Sequence, residues 1–522
     1  MNVPHGQTLD QSSCQRNRWL VAPRRTPVHK TRLQLTLGAP GVHFAPMLDR
    51  FFKLGERGTS LRTEVLAGAT TFLTMAYIVF VNPGILAAAG VPFAGAATAT
   101  ALGAAVMCIS MGLVANRPLG LASGMGLNAV VSFSIIGAQQ AHVPWQVGMA
   151  AVLLEGVAFV VLVITGLRES VMNAIPMSLK RAIGGGIGLF ITFIGLNQGG
   201  VIRPAPVTLV ALGDLSQRTV WVTFTGLGAI LAFRCLRVKG EILWGLLAAT
   251  LAALLLGVAR WPTAVLAPMD FSTFWAPFAT VKGAPAIAHM LSPALLTAVF
   301  ALLLSDFFDA MGTVVAVGEQ AGFVDGQGRV PGLRRILLVD ASAAAVGGLF
   351  GASSITTYVE SAAGVAEGGR TGLTVVVTGL LFAVAALFSP IIATVGGGYR
   401  VPNAAHYSQF VGVGFRVPPD LLPPAGMGDA FVYPITAGAL IFVGFLMMNA
   451  IRNIEWDDWE ESFPAFLTIV CIPLSYSISN GIGLGFISHT LIKLLRGKAR
   501  QVHGLMVAVS LAFLVGFVLQ SR

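Results

Sequence analysis

The chain has 522 residues, 55% of them hydrophobic and only 11% charged, where an average soluble domain carries about 25% charged residues. No Asp, Glu, Lys or Arg occurs between Glu64 and Arg117, Lys282 and Asp306, Arg370 and Arg400, Asp429 and Arg452, or Glu461 and Lys493, and a membrane-crossing helix needs about 20 apolar residues, so a soluble fold is excluded. The net charge of +10 does not indicate nucleic acid, because no basic stripe is interleaved with aromatics.

Residues 1–46 hold Arg16, Arg18, Arg24, Arg25, Lys30 and Arg32 against Asp10 alone, and they lack the apolar core of a signal peptide. They read as a disordered basic arm, with an upstream mis-assigned start favoured over a natural tail. Met47 then opens MLDRFFKLGERGTSLRTE, an amphipathic lead into the first span. Apolar blocks, punctuated by Gly, Pro and charge, predict about 14 spans. The first seven-span repeat, 47–259, places them near 66–90, 95–115, 124–138, 146–167, 177–199, 219–237 and 240–259. A linker, 260–290, contains Pro262, Pro268, Pro277 and Pro285. The second repeat, 291–496, places spans near 292–318, 334–351, 356–368, 372–396, 429–451, 462–477 and 479–496. In the last segment, 497–522, the apolar stretch 502–519 lies on the membrane or spans it. Most remaining basic residues fall in short loops, as positive-inside anchoring requires.

Two spans are too short to cross a bilayer alone. The third begins at Arg117-Pro-Leu-Gly-Leu-Ala-Ser-Gly-Met-Gly-Leu-Asn128, and the tenth begins at Gly351-Ala-Ser-Ser-Ile-Thr-Thr-Tyr-Val-Glu360. Each comes after a helix of small residues and passes through a stretch without strong helix signals. Matched discontinuous helices in two halves are the signature of an inverted repeat. Unwound backbone at membrane depth survives only where it is buried or lines a cavity. The expected fold is therefore an all-α polytopic membrane protein, a 7+7 inverted repeat with extended segments before the half-helices of spans 3 and 10.

Charges inside apolar spans are costly and mark function. Asp306 and Asp309 stand three apart on one helix face. Glu360 is expected about one and a half turns into the tenth span, and Asn128 at the corresponding place in the third. Ser354 and Thr356 precede the tenth helix. No basic partner lies deep in these spans, so such carboxylates bind a proton readily. A carboxylate-lined pocket repels anions and suits a neutral ligand with N–H donors; Asn128 can donate and accept together. Glu155, inside the fourth span, reads as a structural hydrogen bond. Asp340 and Glu367, near span ends, read as solvated or loop-paired. Gly184-Gly185-Gly186 lacks a preceding strand and a following Lys-Ser/Thr, so close helix packing explains it better than phosphate binding. The four cysteines and eight histidines show no metal or disulfide spacing, and no cofactor is expected.

At these residues the chain resembles the AzgA-like guanine/hypoxanthine/adenine permeases, a branch of the nucleobase–cation symporters, from about Met47 onward. The segments that carry the resemblance are Glu56-Arg-Gly-Thr-Ser-Leu-Arg-Thr-Glu64, Phe72-Leu-Thr-Met-Ala-Tyr-Ile78, Gly124-Met-Gly-Leu-Asn128, Asp306-Phe-Phe-Asp-Ala-Met-Gly-Thr313 and the long run Ser354 to Gly372. The resemblance implies a core domain of spans 1–4 and 8–11 and a gate domain of spans 5–7 and 12–14, usually supporting a homodimer. It implies purine–proton symport by alternating access in a bacterial inner membrane, with the N-terminus cytoplasmic and no enzymatic activity. Substrate-binding roles then fall to Glu360, Asp306, Asn128, Ser354 and Thr356, and proton coupling to Asp309 and Asp306. Ser354-Ile355 departs from the threonines of many relatives, which leaves the choice among purines open. The alternative is a carrier of another small organic solute or an anion on the same fold.

Overall fold

The structure, a computed structural model, describes residues 45–136, 143–166, 175–205, 209–262, 264–291, 293–323, 330–401 and 430–520. The disorder expected at 1–46 lies outside these residues, apart from Ala45 and Pro46, which begin α1 (Ala45–Phe52).

Helices α2 (Leu61–Met75) and α3 (Ile78–Ala87) make one apolar stretch interrupted at Ala76–Tyr77. There the bonds tighten to i→i+3, Val79 N–H to the Ala76 carbonyl and Phe80 N–H to that of Tyr77. Helix α4 (Phe93–Ser110), rich in Ala, Gly and Thr, runs into a π-helical turn and stops at Asn116, whose φ is 47°. Strand β1 (Leu121–Ser123) and helix α5 (Met125–Ala129), which continues as a π-helix to Ile136, replace the third span. Long helices α6 (Trp145–Thr165) and α7 (Met177–Gln198) follow, then the hairpin β2 (Ile202–Ala205) with β3 (Leu209–Leu212), α8 (Arg218–Cys235) and α9 (Glu241–Leu255).

The expected linker is docked against the bundle. It contains the small hairpin β4 (Thr280–Val281) with β5 (Ala284–Pro285). Its Trp275 N–H donates to the Leu349 carbonyl at 2.6 Å, and Phe274 stacks on Phe350 with centroids 4.4 Å apart. The second half opens with α10 (Pro293–Ala321) and α11 (Leu333–Phe350). Strand β6 (Ile355–Thr357) and the six-residue α12 (Ser361–Ala366) replace the tenth span. Helices α13 (Gly372–Ala385) and α14 (Ser389–Gly396) lead to the pair β7 (Tyr399–Val401) and β8 (Ala430–Val432). Helices α15 (Pro434–Met447), α16 (Trp459–Leu474), α17 (Ile478–Leu495) and α18 (Gly504–Gln520) complete the fold.

Among the described residues, eight helices are long and apolar enough to cross a membrane, and Met125–Ile136, Glu241–Leu255 and Gly504–Val518 are shorter apolar helices. The chain is thus a multi-pass membrane protein. The other expected spans fall on shorter or more polar segments. Helix α12 is cut to six residues because Thr356 and Thr357 enter a strand and Gly368, at φ 104°, ends the turn.

Helix α11 lies along α6, α12 and α13 pack against α2, and α13 also against α4. Separately, α15 packs on α7 and α8, α8 on α9, and α16 on α7 and α17. Helix α18 packs against both α17 and α10. Toward α17 it makes hydrogen bonds: Ser510 Oγ lies 2.8 Å from Thr490 Oγ and 3.0 Å from the Phe486 carbonyl. Toward α10 it presents Phe513, edge-on to Phe300. Close helix packing explains the Gly184–Gly186 run, since a Cβ on Gly186 would stand 2.6 Å from Ile472 Cδ1 and 3.2 Å from Ile469 Cα.

Glu64, fully buried, secures the start of α13. Its carboxylate accepts from Arg370 N–H at 2.9 Å, Thr371 N–H at 3.4 Å, Thr371 Oγ at 2.8 Å, Thr374 N–H at 3.1 Å and Thr374 Oγ at 2.5 Å. Anionic acceptors at a helix N-terminus satisfy its free N–H groups and its dipole. Glu64→Ala leaves buried donors unmet, and a loss of about 3 kcal/mol is expected. A fall in the thermal midpoint of the detergent-solubilised protein, absent in a control substitution on an exposed face, checks it.

Candidate functional site

Two stretches that break helical structure lie side by side. Strands β1 and β6 pair antiparallel, Leu121 with Thr357, Ala122 with Thr356 and Ser123 with Ile355. Gly124 N–H to the Ser354 carbonyl and Tyr358 N–H to the Gly120 carbonyl, both 2.9 Å, extend the ladder. All six strand residues are buried, so each backbone group needs a protein partner. Side chains supply those the ladder cannot: the Ala352 carbonyl accepts from Asn82 Nδ2 at 3.0 Å and from Ser123 Oγ at 2.8 Å. Tyr358 Oη donates to the Ser123 carbonyl.

Around this pair the expected site residues divide into two groups. Glu360 sits at the first flank of α12, not one and a half turns in, because the strand takes up the preceding residues. It is half-buried, and its Oε1 accepts from Tyr77 Oη at 2.7 Å. Asp309, midway along α10, is exposed and stands close enough to Glu360 and Asp306 to feel both charges. Asp306 is one helical turn away but fully buried. Its Oδ2 faces Ser354 Oγ at 3.4 Å, and the same hydroxyl lies 3.2 Å from Glu155 Oε2. Thr356 Oγ1 donates to Asp340 Oδ1 at 3.3 Å, and Thr357 N–H donates to the same oxygen at 2.9 Å. Asn128, in the last turn of α5, is fully buried, and neither carboxamide atom has a hydrogen-bond partner.

The structure therefore brings Glu360 and Asp309 together on an accessible side, and Asp306, Ser354 and Thr356 together on a sealed one. Asp340 was read as a span-end residue; it is fully buried because α11 begins at Leu333, two turns earlier, and β6 covers it. Glu367 does pair with a loop cation, Lys239. Tyr77 and Asp340 were not among the expected site residues. Tyr77 stood in one of the segments that carry the resemblance, while Asp340 carried no local signal. Chemically, the accessible side offers carboxylate acceptors for N–H groups, and the sealed side offers carboxyls bridged by hydroxyls.

The sequence matches the permease family over residues 62–401. It is 38% identical over 474 residues to the guanine/hypoxanthine permease PbuO of Bacillus subtilis, covering 89% of this chain and 99% of that protein. It is 38% identical to the adenine permease AdeP of Escherichia coli over 472 residues, covering 90% and 96% respectively. In three dimensions it is similar to the transmembrane domain of the cyanobacterial bicarbonate transporter BicA, with a TM-score of 0.54, 14% identity, and 80% of this chain and 97% of that one covered.

Proposed function

We infer that this chain, which belongs to the permease family and is a transporter and not an enzyme, imports purine nucleobases together with protons. Membership rests on the match over residues 62–401 and on relatives named as guanine/hypoxanthine and adenine permeases. The observation that carries the substrate is Glu360. It is a half-buried carboxylate beside the paired broken strands, with one oxygen engaged by Tyr77 and no cation paired to it among the described residues. Such a group recognises the N–H edge of a neutral heterocycle and repels anions. Hypoxanthine, guanine and adenine present that edge. The fold likeness to a bicarbonate transporter does not transfer its substrate, because Asp309 and Glu360 would oppose an anion.

Transport runs by alternating access in this reading. The helices packed around β1 and β6 form the core, and α7 to α9 with α15 to α17 form the gate, related by a 7+7 inverted repeat. A homodimer through the gate, a bacterial inner-membrane location and a cytoplasmic N-terminus complete the proposal. The separate packing of the two helix groups supports it, as does the antiparallel pairing of corresponding broken segments. In cells lacking their own purine permeases, labelled hypoxanthine, guanine or adenine uptake is expected to rise as external pH falls and to collapse with a protonophore. Uptake indifferent to both treatments rules out proton symport; uptake of bicarbonate in place of purine rules out the substrate.

A further inference from the structure

We propose that Glu155 and Asp306 hold a single proton between them, in a sealed site behind β6 that is separate from the purine-facing Glu360. Both residues are fully buried, on different helices, and their carboxyl groups stand within hydrogen-bonding reach of each other. The donors available to them are few. Ser354 Oγ lies 3.2 Å from Glu155 Oε2 and 3.4 Å from Asp306 Oδ2, but a hydroxyl has one proton and serves one of them at a time. Glu155 Oε1 and Asp306 Oδ1 have no hydrogen-bond partner among the described residues, and the Thr356 hydroxyl is the one other donor close to Asp306. Two ionised carboxylates in this position would combine mutual repulsion with buried, unmet acceptors, the costliest arrangement for such groups. A proton bound to one carboxyl and donated to the other removes the repulsion and supplies the missing donor, and the pair then titrates as a unit.

Further acids stand close to the pair. Asp340 on α11 is also buried; it accepts from Thr356 Oγ1 and Thr357 N–H through Oδ1, while its Oδ2 has no partner among the described residues. Asp309 on α10, Glu360 before α12, and the hydroxyls of Tyr77 and Tyr358 complete the titratable groups nearby. Basic side chains on the packed elements stand elsewhere: Arg334 and Arg335 are in the first turn of α11, with Arg334 donating to the Ile164 carbonyl, and His289 bonds the Val281 carbonyl. Among the described residues, no three such groups are arranged to chelate a metal ion.

A second observation concerns α5, the helix that follows β1. The Asn128 carboxamide is fully buried with both atoms unpartnered. It stands one turn beyond Gly124, where an added Cβ would come 2.9 Å from Thr356 Cγ2, and helical side chains lean toward the N-terminus. The Asn128 carboxamide is thus a buried, unpartnered donor–acceptor pair on the helix that follows β1. Proton uptake forms one O–H bond on a carboxylate and release breaks it; no other reactant takes part.

The transport consequence rests on proton-driven purine uptake, whereas the proton site itself can be read without transport. Infrared difference spectra of the purified full-length protein in lipid are expected to show the carbonyl stretch of a protonated carboxylic acid at neutral pH. That band is lost in E155Q, and in S354A it remains but shifts, because the hydroxyl contact is gone. A band unchanged in E155Q, or unshifted in S354A should E155Q not fold, overturns the proposal. In proteoliposomes, a one-unit pH gradient and one proton per purine sustain about tenfold accumulation. E155Q is expected to lose it while purine exchange falls less. Accumulation equal to wild type overturns the proposal. Wild type without any gradient-driven accumulation refutes symport instead, and the infrared band still decides the site.

Discussion

Glu360→Gln is expected to weaken purine binding about ten- to a hundredfold. Tyr77 Oη donates to Oε1 at 2.7 Å, which fixes the carboxylate and leaves Oε2 for the ligand. Glutamine keeps the shape but removes the charge and turns one acceptor into a donor. If its carbonyl stays on Tyr77, its NH2 group meets a purine N–H, donor against donor. If it flips, the tyrosine hydroxyl must accept in place of donating, and the purine meets a neutral carbonyl. Hydrogen bonds to charged groups contribute about 1.5–3 kcal/mol, and each 1.4 kcal/mol is tenfold in affinity. Equilibrium binding of labelled hypoxanthine to the purified protein measures the change. Tyr77→Phe, which frees Oε1 but keeps the charge, is expected to cost less. A Gln variant that binds as tightly as wild type removes Glu360 from recognition.

Asp306→Asn is expected to abolish accumulation against a gradient while preserving part of the binding and exchange. The residue is fully buried and reaches Ser354 and Glu155 from the sealed side. An asparagine fits the space and can donate to Glu155, so the fold survives, but it cannot take up and release a proton at any working pH. Exchange moves no net proton and therefore tolerates the change; accumulation does not. Counterflow and gradient-driven uptake measured on the same proteoliposomes separate the two. If Asp306→Asn loses all binding while Glu360→Gln binds normally, the two residues have exchanged roles.

The broken helices were legible because Gly, Ser and Thr runs interrupt apolar blocks at matching places, and local composition alone dictates that interruption. Their pairing as β1 and β6 was legible from the same match. The length of the tenth helix was not, since Thr356 and Thr357 could extend either a helix or a strand until β1 lay alongside. Asp306 and Asp309 share a helix face by spacing, yet one is sealed and the other exposed. That difference is made by β6 and α6, which arrive from distant sequence. For the same reason Glu155 looked like an isolated polar residue: its partner Ser354 is 199 positions away. Asp340 depends on β6 in the same manner. Tyr77 was hidden because a tyrosine inside a span reads as apolar bulk, and only the interruption of the first span at Ala76–Tyr77 aims its hydroxyl at Glu360. Glu64 and the start of α13 lie over 300 positions apart, a distance that no periodicity bridges.

Helix α18 touches both helix groups: Phe513 lies edge-on to Phe486 of α17 and to Phe300 of α10, and hydrogen bonds are added on the α17 side. Its tie to α17 is directional, through Ser510 to Thr490 and to the Phe486 carbonyl. Its face toward α10 is aromatic, Phe513 against Phe300. Directional bonds fix a register, whereas dispersion contacts between rings tolerate small slides at little cost. The C-terminal helix is thus held in register by α17 and meets α10 through an aromatic contact.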